Sequence, residues 1–301
     1  MTPVMARDGE AMGSIECIVD SRAILGEATL WDPRAQMLWW VDIKQRLIHR
    51  LDPQTRQTTS YVAPQDLGCL AVRESGGLVV TMTDGFFFFD PDSGTFASIV
   101  DPEAHLPENR FNDGKTDRQG RFWSGTMHDK VAGRTGSLYR LDTDLSCHRV
   151  FEGVVCSNAL AWSPDSRTMY YADSFENAVW AFDFDPPTGD IANRRVFIDT
   201  TPSGGQPDGG TVDAQGCYWI TLPRSGKVSR YDPQGREMQS YTLPTALPTC
   251  CGFGGRDLDI LFVTTAIFYR AEEEVAKERN PGGLFAIDVG VKGLPEAHFR
   301  G

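Results

Sequence analysis

Four side chains that end in oxygen stand at one offset in this chain. Glu27, Asn112, Asn158 and Asp208 each lie four residues ahead of a strand-type residue, respectively Trp31, Thr116, Trp162 and Val212. Their contexts are LGEATLWD, FNDGKTD, SNALAWS and PDGGTVD. Taken singly, a turn Asn or Asp satisfies its own backbone. Asn112-Asp113-Gly114 reads in that way as a hairpin turn in which Gly114 supplies a positive φ. Four such residues at a common offset call for a common role. One glutamate, one aspartate and two amides supply several hard oxygens and a formal charge of −2, a donor set for Ca²⁺, Mg²⁺ or Mn²⁺. With three or four protein ligands, coordination positions remain for water and substrate, as a catalytic metal requires. Arg110, two residues before Asn112, adds a five-donor fork suited to an oxygen-rich substrate. Its plainer alternative is a surface salt bridge.

Soft ligands offer little competition. The five histidines are scattered without ligand spacing, and the seven cysteines are odd in number with no C-x-x-C pair. Zn²⁺ and Fe²⁺ stay open but lack their usual donors. The cysteines read as buried thiols, with Cys250-Cys251 adjacent on a core strand.

Elements able to hold these residues at one height recur along the chain. Six aromatic and β-branched runs, MLWWVDI, LVVTMT, RFWSGTM, TMYYADS, CYWITLP and ILFVTTA, have strand length and composition. Each follows a strand-and-turn segment such as TLWDPRA or LAWSPDS, and each precedes a third run ending in Asp, such as LIHRLD or SLYRLD. Anchored on Trp31, Val72, Thr116, Trp162, Val212 and Phe253, the repeats step by 41, 44, 46, 50 and 41 residues. That is the period of a propeller blade. The predicted fold is an all-β, six-bladed β-propeller with four-stranded antiparallel blades around a central channel. It occupies residues 14–301 as one domain after a flexible stretch at 1–13.

The sixth blade is short of an outer strand, and SIECIVD near the N-terminus is the natural piece to close the ring. Between its second and third strands this blade inserts FYRAEEEVAKERNPGG. A short exposed helix is expected there, with Glu273 and Lys277 paired at i,i+4. A solvated charged face is the plain reading of this insertion, and a rim over the channel is the alternative.

Composition narrows the partners. With 41 acidic against 29 basic residues, the net charge of −12 argues against nucleic acid or an anionic membrane as the ligand. Neither an apolar leader nor a long apolar run is present, so a cytoplasmic protein acting on a small molecule is expected, as a monomer or small homo-oligomer.

With its motifs in order at blade spacing, the chain resembles the senescence marker protein, gluconolactonase and regucalcin family. The carriers run from GEATLWD through ENRFNDGKTDRQGRFWSGTM, SNALAWSPDSRTMYYADS and PDGGTVDAQGCYWIT to FGGRDLDILFVTTA, over roughly residues 15–299. The resemblance implies a six-bladed propeller with one divalent metal, Ca²⁺ first, held by Glu27, Asn158 and Asp208. It implies Asp208 as general base, Arg110 and Asn112 as substrate contacts, and hydrolysis of sugar-acid lactones, with bacterial aldonolactonases the nearest in wording. Ala28 and Thr29 stand where the family usually has Gly and Pro, and Ala159 stands where Gly is common. Lys130 occupies the position at which animal members bind substrate with Glu. Two rival readings stay open: a phosphotriesterase or arylesterase on a similar metal floor, and a non-catalytic calcium-binding propeller.

Overall fold

The computed structural model describes residues 13–301. Apart from Gly13, the stretch expected to be flexible lies outside the described residues. The described chain forms six four-stranded antiparallel sheets, which are the six blades. β1 (Ile15–Val19) comes first. Blade 1 is β2 (Gly26–Asp32), β3 (Met37–Asp42), β4 (Leu47–Asp52) and β5 (Gln57–Val62). Blade 2 is β6 (Leu67–Val72), β7 (Leu78–Met82), β8 (Gly85–Asp90) and β9 (Thr95–Val100). Blade 3 is β10 (Asn109–Thr116), β11 (Phe122–His128), β12 (Gly136–Leu141) and β13 (Cys147–Val154). Blade 4 is β14 (Ser157–Trp162), β15 (Thr168–Asp173), β16 (Ala178–Asp185) and β17 (Asp190–Asp199). Blade 5 is β18 (Gly210–Val212), β19 (Tyr218–Leu222), β20 (Lys227–Tyr231) and β21 (Glu237–Thr242). Blade 6 is β22 (Pro248–Gly254), β23 (Ile260–Thr265) and β24 (Leu284–Asp288). Its fourth strand is β1, paired antiparallel to β24 with Ile15 opposite Ile287. The first and last strands of the propeller thus close one sheet, as the SIECIVD segment implied.

Burial falls from the axis outward. Every residue of β2, β6, β14 and β22 is buried, whereas β5 reads almost wholly exposed. Inner and second strands are covered on both faces and outer strands present one side to water, which is why second-strand runs such as LVVTM and ILFVTT are largely apolar and the outer run QTTSYV is polar. An aromatic pair spans each blade interface in turn: Tyr61–Phe89, Phe86–Phe111, Trp123–Trp162, Tyr170–Tyr218, Trp219–Phe253 and Trp31–Phe262. Such pairs contribute on the order of 1 kcal/mol each beyond their buried area. They explain the recurring Trp, Tyr and Phe of the repeat. The four-phenylalanine run supplies two of these rings, Phe86 and Phe89, while Phe87 and Phe88 remain partly exposed. Of the cysteines, Cys17, Cys147 and Cys156 are only partly buried, and all seven are free thiols.

One end of the channel is crossed by the C-terminal tail. Phe299 bridges to Arg73 and Gly293 to Asp213, and Glu296 Oε1 accepts from the Lys115 ammonium at 2.9 Å. The other end carries the turns between second and third strands of every blade. The blade 6 insertion is on this side. Its helix α1 spans only Glu272–Val275, and the expected Glu273–Lys277 pair does not form. Arg270 instead bridges Glu274 at 3.2 Å and Glu278 at 2.8 Å. Glu278 also accepts from the Thr245 hydroxyl and the Ala246 amide, tying the insertion to the neighbouring loop. Phe268 at its base lies under the Lys44 ammonium, 5.8 Å from ring centre to nitrogen.

Candidate active site at the channel mouth

A break in strand pairing recurs at the same place in five inner strands. The register shifts between Glu27 and Leu30, Leu67 and Leu70, Phe111 and Gly114, Asn158 and Ala161, and Pro248 and Cys251. A β-bulge bends the strand and re-aims a side chain, and each of these sits at the shared offset. In blade 5 the strand begins only at Gly210, so Asp208 lies just ahead of it. Two of the bulges carry a left-handed residue directly after the candidate ligand: Ala28 at φ 55° and Ala159 at φ 67°. These are the two positions at which Ala stands for the family's Gly.

The Asn-Asp-Gly stretch is therefore a bulge inside β10 and not a hairpin turn. Gly114 does not adopt a positive φ. It is required because a Cβ there would come within 2.4 Å of Cys69 Sγ and 2.5 Å of the Trp123 carbonyl. The blank in the ring at Gly68 has a similar cause, since a Cβ would fall 2.9 Å from the Asn112 carbonyl oxygen.

The offset residues meet. Asn112 Nδ2 donates to Asn158 Oδ1 at 3.0 Å and to the Ser157 carbonyl at 2.9 Å. Asn158 Nδ2 donates to Ser174 Oγ, whose hydroxyl donates to the Pro207 carbonyl, both at 2.7 Å. This chain links blades 3, 4 and 5 and ends on the residue before Asp208. On the other side, the Thr249 hydroxyl donates to the carbonyl of Gly26, next to Glu27. The Gly209 amide, next to Asp208, donates to the Thr249 carbonyl at 2.7 Å. The backbone beside the two carboxylates is thus fixed through blade 6.

The carboxylates themselves are left without partners from other side chains. Asp208 accepts no hydrogen bond from the described residues, and Glu27 has only the neighbouring amide of Ala28. Burial pushes the Glu27 carboxyl well above its usual range, and the charges of Asp208 and Asp113 push it further. Burial and Asp113 do the same to Asp208, with Arg110 the opposing charge. Asp113, one residue past the offset, is itself raised to about 6 by burial, while Lys115 and the amide of Leu160 hold it down. Among the described residues no three of His, Cys, Asp and Glu gather as a metal cluster. The donor set here is two carboxylates and the amide oxygen of Asn158. Like charges of this kind, Glu27 buried and Asp208 half-buried, favour a bound cation, and hard oxygen donors fit Ca²⁺ or a similar ion.

Arg110 is only 5 % exposed at its side chain and is no surface residue. Nε donates to Asp129 Oδ1 at 2.8 Å, and Nη1 donates to the Phe111 carbonyl and to Asn112 Oδ1. The candidate Lys130 is brought to none of these: its side chain is exposed, and only its backbone amide bonds, to His128. The residue beside it, Asp129, makes the contact. Asp129, Lys44 and Ser174 escaped the sequence reading because they come from the turns between second and third strands, where no common offset exists. The run GTMHD at 125–129, which continues the blade 3 motif, is the one sequence signal near Asp129.

Fold and site together define a six-bladed β-propeller whose channel mouth is lined by acidic and amide oxygens. The chain belongs to the SMP-30/gluconolactonase/LRE-like family, which matches residues 25–267. It is similar to the 6-deoxy-6-sulfogluconolactonase of Pseudomonas putida, with 34 % identity over 96 % of this chain and 99 % of the relative. The regucalcin of Xenopus laevis is 36 % identical over 95 % of this chain and 98 % of its own. Among solved structures, the calcium-binding regucalcin of Agrobacterium tumefaciens superposes with a TM-score of 0.91 at 30 % identity, covering 96 % of this chain and 97 % of that one.

Proposed function

We propose that this protein is a lactonase that hydrolyses a sugar-acid lactone to the open-chain acid, with a divalent cation, Ca²⁺ first, held by Glu27, Asn158 and Asp208. The observation that carries the reading is the pair Glu27 and Asp208, set together at the channel mouth with no side-chain donor to neutralise either. The family and its lactonase relatives supply the substrate class. When bound, the cation supplies Lewis acidity toward the lactone carbonyl.

The chain's own residues account for the rest. Asp208 takes a proton from the water that attacks the carbonyl carbon. A carbon–oxygen bond forms to that water, the ring carbon–oxygen bond breaks, and the ring oxygen leaves as a hydroxyl carrying the proton that Asp208 took up. Arg110 donates to the substrate's oxygens and holds the ring against the attacking water. Asn112 has both amide hydrogens engaged by Ser157 and Asn158, so its contact with substrate is as an acceptor through Oδ1.

The test is to strip the protein with chelator, reload single divalent metals, and follow acid release from five- and six-carbon aldonolactones beside paraoxon-type esters. Turnover of a lactone that disappears on stripping and returns on reloading is the expected result. Turnover indifferent to chelator would overturn the metal assignment. Ester hydrolysis with no lactone hydrolysis would overturn the substrate class.

A further inference from the structure

A guanidinium has five N–H donors, and at Arg110 three of them are already committed. Nε is held by Asp129, and both Nη1 hydrogens are held by Phe111 and Asn112. Nη2 donates to no described residue, although the side chain is only 5 % exposed and borders an open cleft of about 400 Å³ that runs from Arg46 of blade 1 past Asp66 and Thr83 to Asp129 of blade 3. Such an arrangement fixes the plane of the fork and leaves one edge for a ligand.

Asp129 is fixed in its turn from outside its own blade. The same oxygen that accepts from Arg110 accepts from Lys44 Nζ at 2.6 Å. Lys44, in the turn after β3, also donates to Asp66 Oδ2 at 2.8 Å, and Asp66 Oδ1 accepts from Arg46 Nε at 3.0 Å. Charges alternate along this line, Arg46, Asp66, Lys44, Asp129, Arg110, and it ends on the cation at the channel mouth. Burial works against the ionised Asp129 carboxylate, but Lys44 and Arg110 outweigh it and hold its pKa below the ordinary value. A charged Asp129 is what a fixed Arg110 needs.

We propose that Asp129, anchored by Lys44 of blade 1, is the positioning residue that presents the free Nη2 edge of Arg110 to the substrate. The inference rests on the lactonase reading and assigns two residues, Asp129 and Lys44, that act on the reaction only through Arg110. Lys44 is further steadied by Phe268 beneath it, which gives the blade 6 insertion a place in the same support.

Steady-state kinetics on the metal-loaded protein test it, with D129N, D129E, K44M, R110M and the double variant D129N/R110M. Misplacing a substrate-holding group by about an ångström costs up to about 100-fold. D129N is therefore expected to lower kcat/KM about 10- to 100-fold with unchanged Ca²⁺ affinity by calorimetry. D129E should recover much of the loss, and K44M should lose less than D129N. The double variant should be no worse than R110M, because a residue acting only through Arg110 has nothing left to position. Wild-type kcat/KM in D129N, or losses that multiply in the double variant, would overturn the positioning role. Absence of lactone turnover in the wild-type protein would remove the lactonase reading and this role together, so the two failures are distinct.

Discussion

The inner strands carry carboxylates near both ends, and the two ends treat them in opposite ways. At the tail end, Asp213 is saturated: Oδ2 accepts from Trp219 Nε1 and from the Arg230 guanidinium, and Oδ1 accepts from the amides of Gln215 and Cys217. Asp117 in blade 3 repeats the arrangement with Trp123, Arg121 and the amide of Gln119. At the mouth, Glu27 and Asp208 have almost nothing, and the charge of Asp208 adds to the push on the Glu27 carboxyl. The same strands therefore hold carboxylates that stabilise the fold at one end and, at the other, carboxylates that the proposed function assigns to a cation. Glu27 is buried and Asp208 half-buried, and a charge left unpaired away from water is costly, so under the proposed function the mouth is where function and stability part.

The largest effect that follows is on turnover. Asp208→Asn removes a charge that no donor in the protein needs, and it also removes the proposed proton acceptor. Lactone hydrolysis should fall about 10³-fold, while thermal unfolding of the metal-free protein stays where it was or moves up as like-charge repulsion is relieved. Addition of Ca²⁺ should raise the melting temperature of the wild-type protein but not of this variant. A variant that hydrolyses lactone at the wild-type rate, or that melts lower without metal, would erase the contrast between the two ends.

At the tail end the order of effects reverses. Asp213→Asn leaves the Arg230 guanidinium, only 6 % exposed as a residue, without its counter-charge. Breaking one side of a buried pair costs about 3–5 kcal/mol, to be read from urea unfolding, and the folded fraction should hydrolyse substrate at the parental rate. A loss of turnover that exceeds the loss of folded protein would mean that the tail end is coupled to the mouth.

The fold was open to reading from sequence because each blade spells out its own burial gradient. Aromatic and β-branched second runs and polar outer runs recur every 41 to 50 residues, and the aromatic residues that join blades recur with them. The ring of Glu27, Asn112, Asn158 and Asp208 was open for the same reason, since identical strands place identical offsets at one height. What hid was whatever depends on neighbours distant in sequence. Gly114 follows a turn-like pair, and only Cys69 and Trp123 reveal that it permits a close approach. Asp129 and Lys130 are adjacent in one irregular loop, and no periodicity says which of them turns inward. Arg270 takes Glu274 and Glu278 as partners because Thr245 and Ala246 hold Glu278 in place, which the local i,i+4 rule does not see.

The smallest effect probes how the mouth is built. Ala28 and Ala159 sit directly after two candidate ligands with φ of 55° and 67°, a left-handed conformation that costs a residue bearing a Cβ about 1–2 kcal/mol. Glycine relieves that strain but gives the unfolded chain more freedom, so Ala28→Gly and Ala159→Gly should each stabilise by a net ~0.5–1 kcal/mol. Ala181, buried in β16 without a positive φ, is the control: glycine there removes a packed methyl without relieving strain and should destabilise. If both bulge variants lost stability as the control does, the bulges would not be strained. The mouth would then differ from the tail end only in its charges, and not also in the backbone that carries them.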